Sequence, residues 1–183
     1  QGSATAQGGN GALDFDLSYR HYQADKVGGL EVFKSGGVLS AVVSGRYKFD
    51  EITTGITVAH ILRNKNSILF GSSLQTEAQN SNSDKTILNG NIAYAISPQV
   101  ILSMLGGYRT LSANDYEASS TNYFGKSDVF SVGGGLEYVA PDQRWSFFGR
   151  LVVNSGKANK EAPEDQEIEV SGTEFSFGGK VRF

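Results

Sequence analysis

From Ala12 to Tyr22 the stretch ALDFDLSYRHY sets Leu13, Phe15, Leu17 and Tyr19 against Asp14, Asp16, Ser18 and Arg20. Period two over that length predicts a strand, because a helix would bring Phe15 and Asp16 onto adjoining faces. The same alternation returns along the chain. GVLSAVVSGRYKF opposes Leu39, Ala41, Val43, Tyr47 and Phe49 to Ser40, Ser44, Arg46 and Lys48, and ITTGITVAHILR follows after Asp50-Glu51 with Ile52, Ile56, Val58 and Leu62 on one face. Further strands are predicted at ILNGNIAYAIS, VILSMLGGYR, VFSVGGGLEYV and WSFFGRLVVN, and a last one in TEFSFGGKVRF. In that last stretch Phe175, Phe177, Val181 and Phe183 alternate with Glu174, Ser176, Lys180 and Arg182.

About eight strands result, and the connections between them alternate in length. Short links lie near Asp50, Pro98 and Pro141, and long polar intervals near 24–36, 64–85, 112–127 and 156–167. All three prolines fall in connections, where a missing ladder N–H does no harm. An even strand number, short turns at one end and long loops at the other is the plan of bacterial outer-membrane barrels. Several strands also approach the roughly nine to eleven residues that cross a bilayer at a tilt. The first ten residues carry no evident period and are expected to be a flexible N-terminal segment ahead of a barrel at 11–183. Gln1-Gly2-Ser3 reads equally as the remnant of an engineered cleavage site, and an exported form would already have lost its signal peptide.

Composition narrows the function. The net charge of −3 provides no basic stripe for nucleic acid. The absence of cysteine excludes a disulfide scaffold and a thiolate metal site. Mean hydropathy is only −0.26, and no apolar run reaches the ~18 residues of a membrane helix. A transmembrane strand, however, averages lipid-facing and lumen-facing residues, so bland hydropathy is what a barrel would give.

Period alone does not say which face looks outward. The polar parity holds Asp14, Asp16, Arg46, Arg109, Glu137, Arg150, Glu174 and Lys180, charges of both signs that can pair inside a narrow barrel filled by side chains. On the lipid side each Arg or Lys at midplane would cost roughly 2–4 kcal/mol. Aromatics gather near strand ends, with Phe49, Tyr138 and Trp145 by the short turns and Tyr19 and Tyr108 by the long loops. This is the arrangement of two interfacial girdles. The apolar parity is therefore expected to face lipid. The rival is a water-soluble barrel or sandwich, which has no reason for the asymmetry in loop length.

Residues 11–183 resemble the small outer-membrane barrels of the OmpA-membrane-domain, OmpX and opacity-protein type. The resemblance rests on the eight alternating stretches and on the C-terminal strand ending in Phe183, which looks like the signal read by the outer-membrane assembly machinery at Phe175, Phe177, Val181 and Phe183. It implies an all-β, eight-stranded, antiparallel up-and-down transmembrane barrel in a Gram-negative outer membrane, in contact with lipid and lipopolysaccharide and expected to be monomeric. The implied role is non-enzymatic: four loops displayed for adhesion, shielding or contact with an extracellular partner. The alternative is a narrow, porin-like channel or transporter for small solutes, with apolar molecules passing by lateral opening, and a lipid-modifying enzyme ranks below both.

Little chemistry is expected beyond that frame. His21 and His60 share the outward parity and read as interface residues, and neither lies in a motif that would activate a serine. The glycines at 133 to 135 do not open a helix after a strand, so they read as structural and not as a phosphate loop. Glu161, Glu164, Asp165 and Glu167 could attract a divalent cation, but their spacing is not that of an EF-hand and a solvated acidic loop is the simpler reading. No catalytic, cofactor or metal residue is assigned. SILFGSSL at 67–74 is the one apolar patch in a predicted loop. It reads first as a hairpin continued above the membrane, with a surface helix or a partner contact as the alternatives.

Overall fold

The structure is a computed structural model that describes residues 1–160 and 167–181. It is built of antiparallel strands: β1 (Gly2–Gly8), β2 (Gly11–Arg20), β3 (Asp25–Val27), β4 (Leu30–Lys34), β5 (Val38–Phe49), β6 (Ile52–Arg63), β7 (Ser67–Phe70), β8 (Ser73–Thr76), β9 (Lys85–Ser97), β10 (Val100–Leu111), β11 (Lys126–Val139), β12 (Trp145–Lys160) and β13 (Ile168–Val181). Nine of them form one sheet in the order β1-β2-β5-β6-β9-β10-β11-β12-β13, and β3-β4-β7-β8 form a second. All eight expected strands are present, as β2, β5, β6 and β9 to β13.

Two expectations of the fold are corrected. The described residues form thirteen strands and not eight, and the nine-stranded sheet does not close: β1 and β13 each have one neighbour. The extra strands escaped the pattern for physical reasons. In β1 the alternation is between Gly2, Ala4, Ala6, Gly8 and Ser3, Thr5, Gln7, side chains too small for a hydrophobic period to register. The four short strands are held by pairing between two loops, Phe33 opposite Ile68 and Lys34 opposite Ser67, which a local reading of either loop cannot see. Closure as expected would need β13 on the outer edge of β2. That edge is taken by β1, from Gly2 opposite Leu17 to Gly8 opposite Gly11.

The short connections all fall at one end of the sheet. Asp50 takes the left-handed conformation at φ 49°, which a short polar side chain tolerates, and lets β5 turn into β6 with Phe49 opposite Ile52. Each turn is tied to the neighbouring hairpin: Lys48 N donates to Asn10 O, Ala95 N to Glu51 O and Val139 N to Gln99 O, at 2.7–2.9 Å.

Burial decides which parity looks outward. Phe15, Leu17, Ile56, Met104, Leu136, Leu151 and Phe177 are all exposed, Phe177 at 81% and Met104 at 65%, while most of the alternate positions beside them are half-buried, Arg150 being the exception. Among the described residues no large side chain is fully buried, so there is no conventional core. The accessible surface is 12342 Å², where a water-soluble monomer of this mass would expose roughly 8,600 Å². A sheet that leaves its greasy side out over eight strands is explained by hydrocarbon as solvent. Tyr138, Trp145 and Phe147 stack at the short-turn end with centroids 5.9 and 5.0 Å apart, and Tyr108 meets Phe130 at 4.7 Å towards the loops, marking two aromatic levels.

Glycine permits close approach where the sheet bends. A Cβ on Gly133 would stand 2.3 Å from Leu151 O, and one on Gly178 would meet the Phe148 ring at 2.7 Å. Leu151 lies in the middle of the outward band, so Leu151→Arg is expected to destabilise the folded protein in vesicles by roughly 2–4 kcal/mol in urea titrations. A change below about 0.5 kcal/mol, typical of a solvated surface, would contradict the lipid-facing assignment.

Candidate recognition surface at the loop end

The loops at the other end are linked to one another by their own polar side chains. Asn66 Oδ1 accepts from Gly36 N at 2.9 Å and from Asn82 Nδ2 at 3.1 Å, joining the 21–37 loop to the 64–84 loop. Glu77 Oε1 accepts from Asn66 N at 2.8 Å and from Ser81 N at 3.1 Å, and Lys65 Nζ donates to Ala78 O. Asn80 ties this loop to the third through Asp115: Asn80 N donates to Asp115 Oδ2 at 3.2 Å and Asp115 N donates to Asn80 O at 3.0 Å. Asp84 O accepts from Ser112 N while Ser112 Oγ accepts from Asp84 N, both at 2.9 Å. Asn114 closes the third loop on itself through Asn122 O and Phe124 N. Within these long polar intervals Asn66, Glu77, Asn80, Asn82 and Asn114 thus bond backbone groups that no strand ladder pairs.

The apolar patch at 67–74 belongs to this crown. It forms the hairpin β7–β8, with Ile68 and Phe70 exposed and Leu69 and Leu74 half-buried. The surface helix is not realised: the stretch is a hairpin that pairs with β4 in the second sheet.

A charged clamp fixes the wall just above the outer aromatic level. Asp128 is buried, and Lys160 Nζ donates to its Oδ2 at 2.8 Å, Tyr108 Oη donates to its Oδ1 at 2.7 Å, and Lys126 stands 3.6 Å away. Sequence parity places Lys160 on the opposite face. An irregularity between Lys126 and Asp128, with Asn159 at φ 57°, turns its side chain towards Asp128. The Lys160 ammonium holds the Asp128 carboxyl far below the ordinary carboxylate range, against the opposing effect of burial and with help from Tyr108. The same contact raises Lys160, and Glu167 at 2.6 Å raises Lys157. This clamp was missed in the sequence, where Tyr108 read only as a girdle residue and Asp128 fell at a strand boundary.

The concave face gathers some of the expected charges and leaves others apart. Glu137 and Lys180 stand 4.0 Å apart across β12, with Lys180 over the Phe148 ring and Ser146 Oγ donating to Glu137 at 2.9 Å. Asp14 is held by Thr5 Oγ1 at 2.8 Å and Asp16 is touched by Gln1 Nε2 at 3.4 Å. Among the described residues Arg46, Arg109, Arg150 and Glu174 enter no ion pair. Two polar cavities open towards the loops: one of about 460 Å³ beside Arg20, Tyr22, Arg63 and Asn82, and one of about 510 Å³ beside Lys85, Asn89, Arg109 and Glu174.

The remaining candidates are placed as follows. Tyr19, Phe49, Tyr138 and Trp145 are exposed on the outward side, and Phe175, Phe177 and Val181 lie outward on β13, the two rings 6.1 Å apart. Phe183, and Glu161, Glu164 and Asp165 of the acidic loop, lie outside the described residues. His60 Nδ1 is 2.8 Å from Thr86 Oγ1 on the outward face, and His21 is exposed. Among the described residues no carboxylate orients the His60 ring, so the pair lacks the third member that activates a nucleophile.

No protein-family model and no curated protein sequence matches the chain. Among solved structures the sheet is similar to OmpT (in-vitro folded), an outer membrane protein of Vibrio cholerae, at 16% identity and a TM-score of 0.57 over 97% of this chain. The chain spans about half of that protein, 52% of its length. The likeness supports an outer-membrane β-barrel fold and does not single out the OmpA, OmpX or opacity type.

Because folded Asp128 releases its proton at lower pH than the unfolded chain does, its contribution is full above the ordinary carboxylate range and is lost as pH falls towards the folded pKa. Urea midpoints of the parent chain and Asp128→Asn should therefore differ by a constant amount from pH 7 to 5 and converge below pH 4. A difference independent of pH would show that the charge does not hold the clamp.

Proposed function

We propose that the protein is an integral outer-membrane barrel protein whose apolar band anchors a rigid wall and whose hydrogen-bonded loop crown makes contact with molecules outside the cell, without catalysis. The observation that carries this reading is the pairing of an outward apolar parity with loops stapled to one another through Asn66, Glu77, Asn80 and Asp115. Loops fixed before a partner arrives lose less ordering entropy on binding, which is what a rigid frame offers a recognition surface. The likeness to an outer-membrane protein supports the location. Contact of the band with lipid and of the crown with lipopolysaccharide follows from that location, and assembly would pass through the machinery that reads β13. The small-barrel type remains our reading of the eight apolar-banded strands.

A second reading, passage of small polar solutes, is favoured by the two open cavities on the concave face and by the arginines there that lack ion pairs. An interior plugged by salt bridges would leave neither.

In intact Gram-negative cells, Ser119→Cys in the third loop should react with a membrane-impermeant maleimide. The purified protein should need detergent and run as a compact band on gels until boiled. A chain that is monodisperse without detergent would refute the membrane reading. Discrete openings in planar bilayers would promote the solute route, and a flat trace would remove it.

A further inference from the structure

The nine-stranded sheet ends in two unpaired edges, the outer edge of β1 and that of β13. In hydrocarbon such edges are untenable, because unpaired peptide groups find no water there. β1 and β13 both run from the loop end to the short-turn end, as their antiparallel pairing with β2 and β12 requires. Joining them would therefore make a parallel pair, whereas β13 on β2 would be antiparallel and slightly more stable per residue.

We propose that β1 is a displaceable edge strand, and that in the membrane β13 replaces it on β2, with Val181 opposite Leu13. This rests on the membrane reading above. The register follows from the sheet itself. A line of paired residues runs from Leu13 through Gly45, Ile56, Gly90, Gly106, Val132 and Val153 to Thr173. It starts near the short-turn end of β2 and arrives near the loop end of β13. Bringing the two apolar bands level requires a slide of eight residues along β13, from Thr173 to Val181. Strand tilt and stagger are linked in this way in any closed barrel.

That slide sets Lys180 opposite Asp14 and Glu174 opposite Arg20 on the inner face, two pairs of opposite charge. On the outer face Phe177 falls beside Leu17 and Phe175 beside Tyr19, which carries the apolar band across the seam, while Gly179 leaves room for Phe15. Only even slides keep the apolar faces together, and a slide of six would leave Asp14 opposite Gly178 and Asp16 opposite Ser176 with no charge partner.

β1 is suited to leave. Its outward side chains are Ala4 and Ala6, and it meets the β2 carboxylates only with neutral groups, Thr5 on Asp14 and Gln1 on Asp16. Among the described residues Arg20 and Glu174 form no ion pair, so the closing strand would give both a partner.

The test uses the full chain folded into phosphatidylcholine vesicles. Ser18→Cys with Ser176→Cys should link almost completely on mild oxidation, since directly opposed residues lie about 4.5–5.5 Å apart, within reach of a disulfide. Ser3→Cys with Ser176→Cys should stay below a tenth of that yield. If the second pair links instead, or if neither does while the protein still floats with vesicles and shifts on boiling, the proposal falls and the membrane reading stands. Failure to float sinks the membrane reading itself. Should the cysteine variants fold poorly, Asp14→Lys should weaken the heat-sensitive band at least threefold and Lys180→Asp added to it should restore the band. No restoration would overturn the register.

Discussion

A peptide group in hydrocarbon has only other peptide groups to bond with, and the arrangement of this chain follows from that constraint. Long ladders of antiparallel strands satisfy the backbone across the band, so side chains are free to sort by face. The apolar parity turns out because lipid accepts it without cost. The polar parity turns in because every charge kept from lipid saves a few kcal/mol. The usual source of stability, a dry interior, is missing: the concave face is only half-buried and its largest side chains remain accessible. What holds the sheet is pairing along the strands, aromatic contact at the two levels of the band, and close backbone approach at residues such as Gly133.

Outside the band the rules change and so does the construction. Above Phe130 and Tyr108 the outward positions become Asp128, Lys157 and Glu169, and alternation gives way to specific polar contacts. Asp128 gathers Lys160 and Tyr108, while Asn66 and Glu77 gather three stretches of loop. Asp128 and Asn114 are buried, and Asn66, Glu77 and Asn80 are half-buried. The crown is built around a second sheet and linked by these contacts, and that supports its reading as a recognition surface.

The frame was legible in the sequence because its signal is local. Each of the eight long strands carries its own alternation, and the side chains at Phe15, Leu136 and Phe177 had to face one way together. Where strands continue past the apolar band, as β12 does to Lys160, the ladder persists without a hydrophobic period, so the sequence boundary falls early. The β4–β7 pairing, the β1 hairpin and the Asp128 clamp were not legible. The first joins residues more than thirty positions apart, the second alternates only alanine and glycine with short polar groups, and the third depends on an irregularity that moves Lys160 to the other face. Charges on the inner parity were visible, but their partners depend on which edges meet, and that is a property of the whole sheet.

Orientation of the two faces is most directly tested by spin labels placed singly at positions 147 to 153 of β12 in lipid vesicles. Collision with oxygen, which concentrates in hydrocarbon, should be high at 147, 151 and 153 and low at 148, 150 and 152, with a water-soluble nickel chelate giving the opposite alternation. Oxygen favouring 148, 150 and 152, or no alternation at all, would mean that the greasy side of the sheet does not meet lipid, and the account would fail.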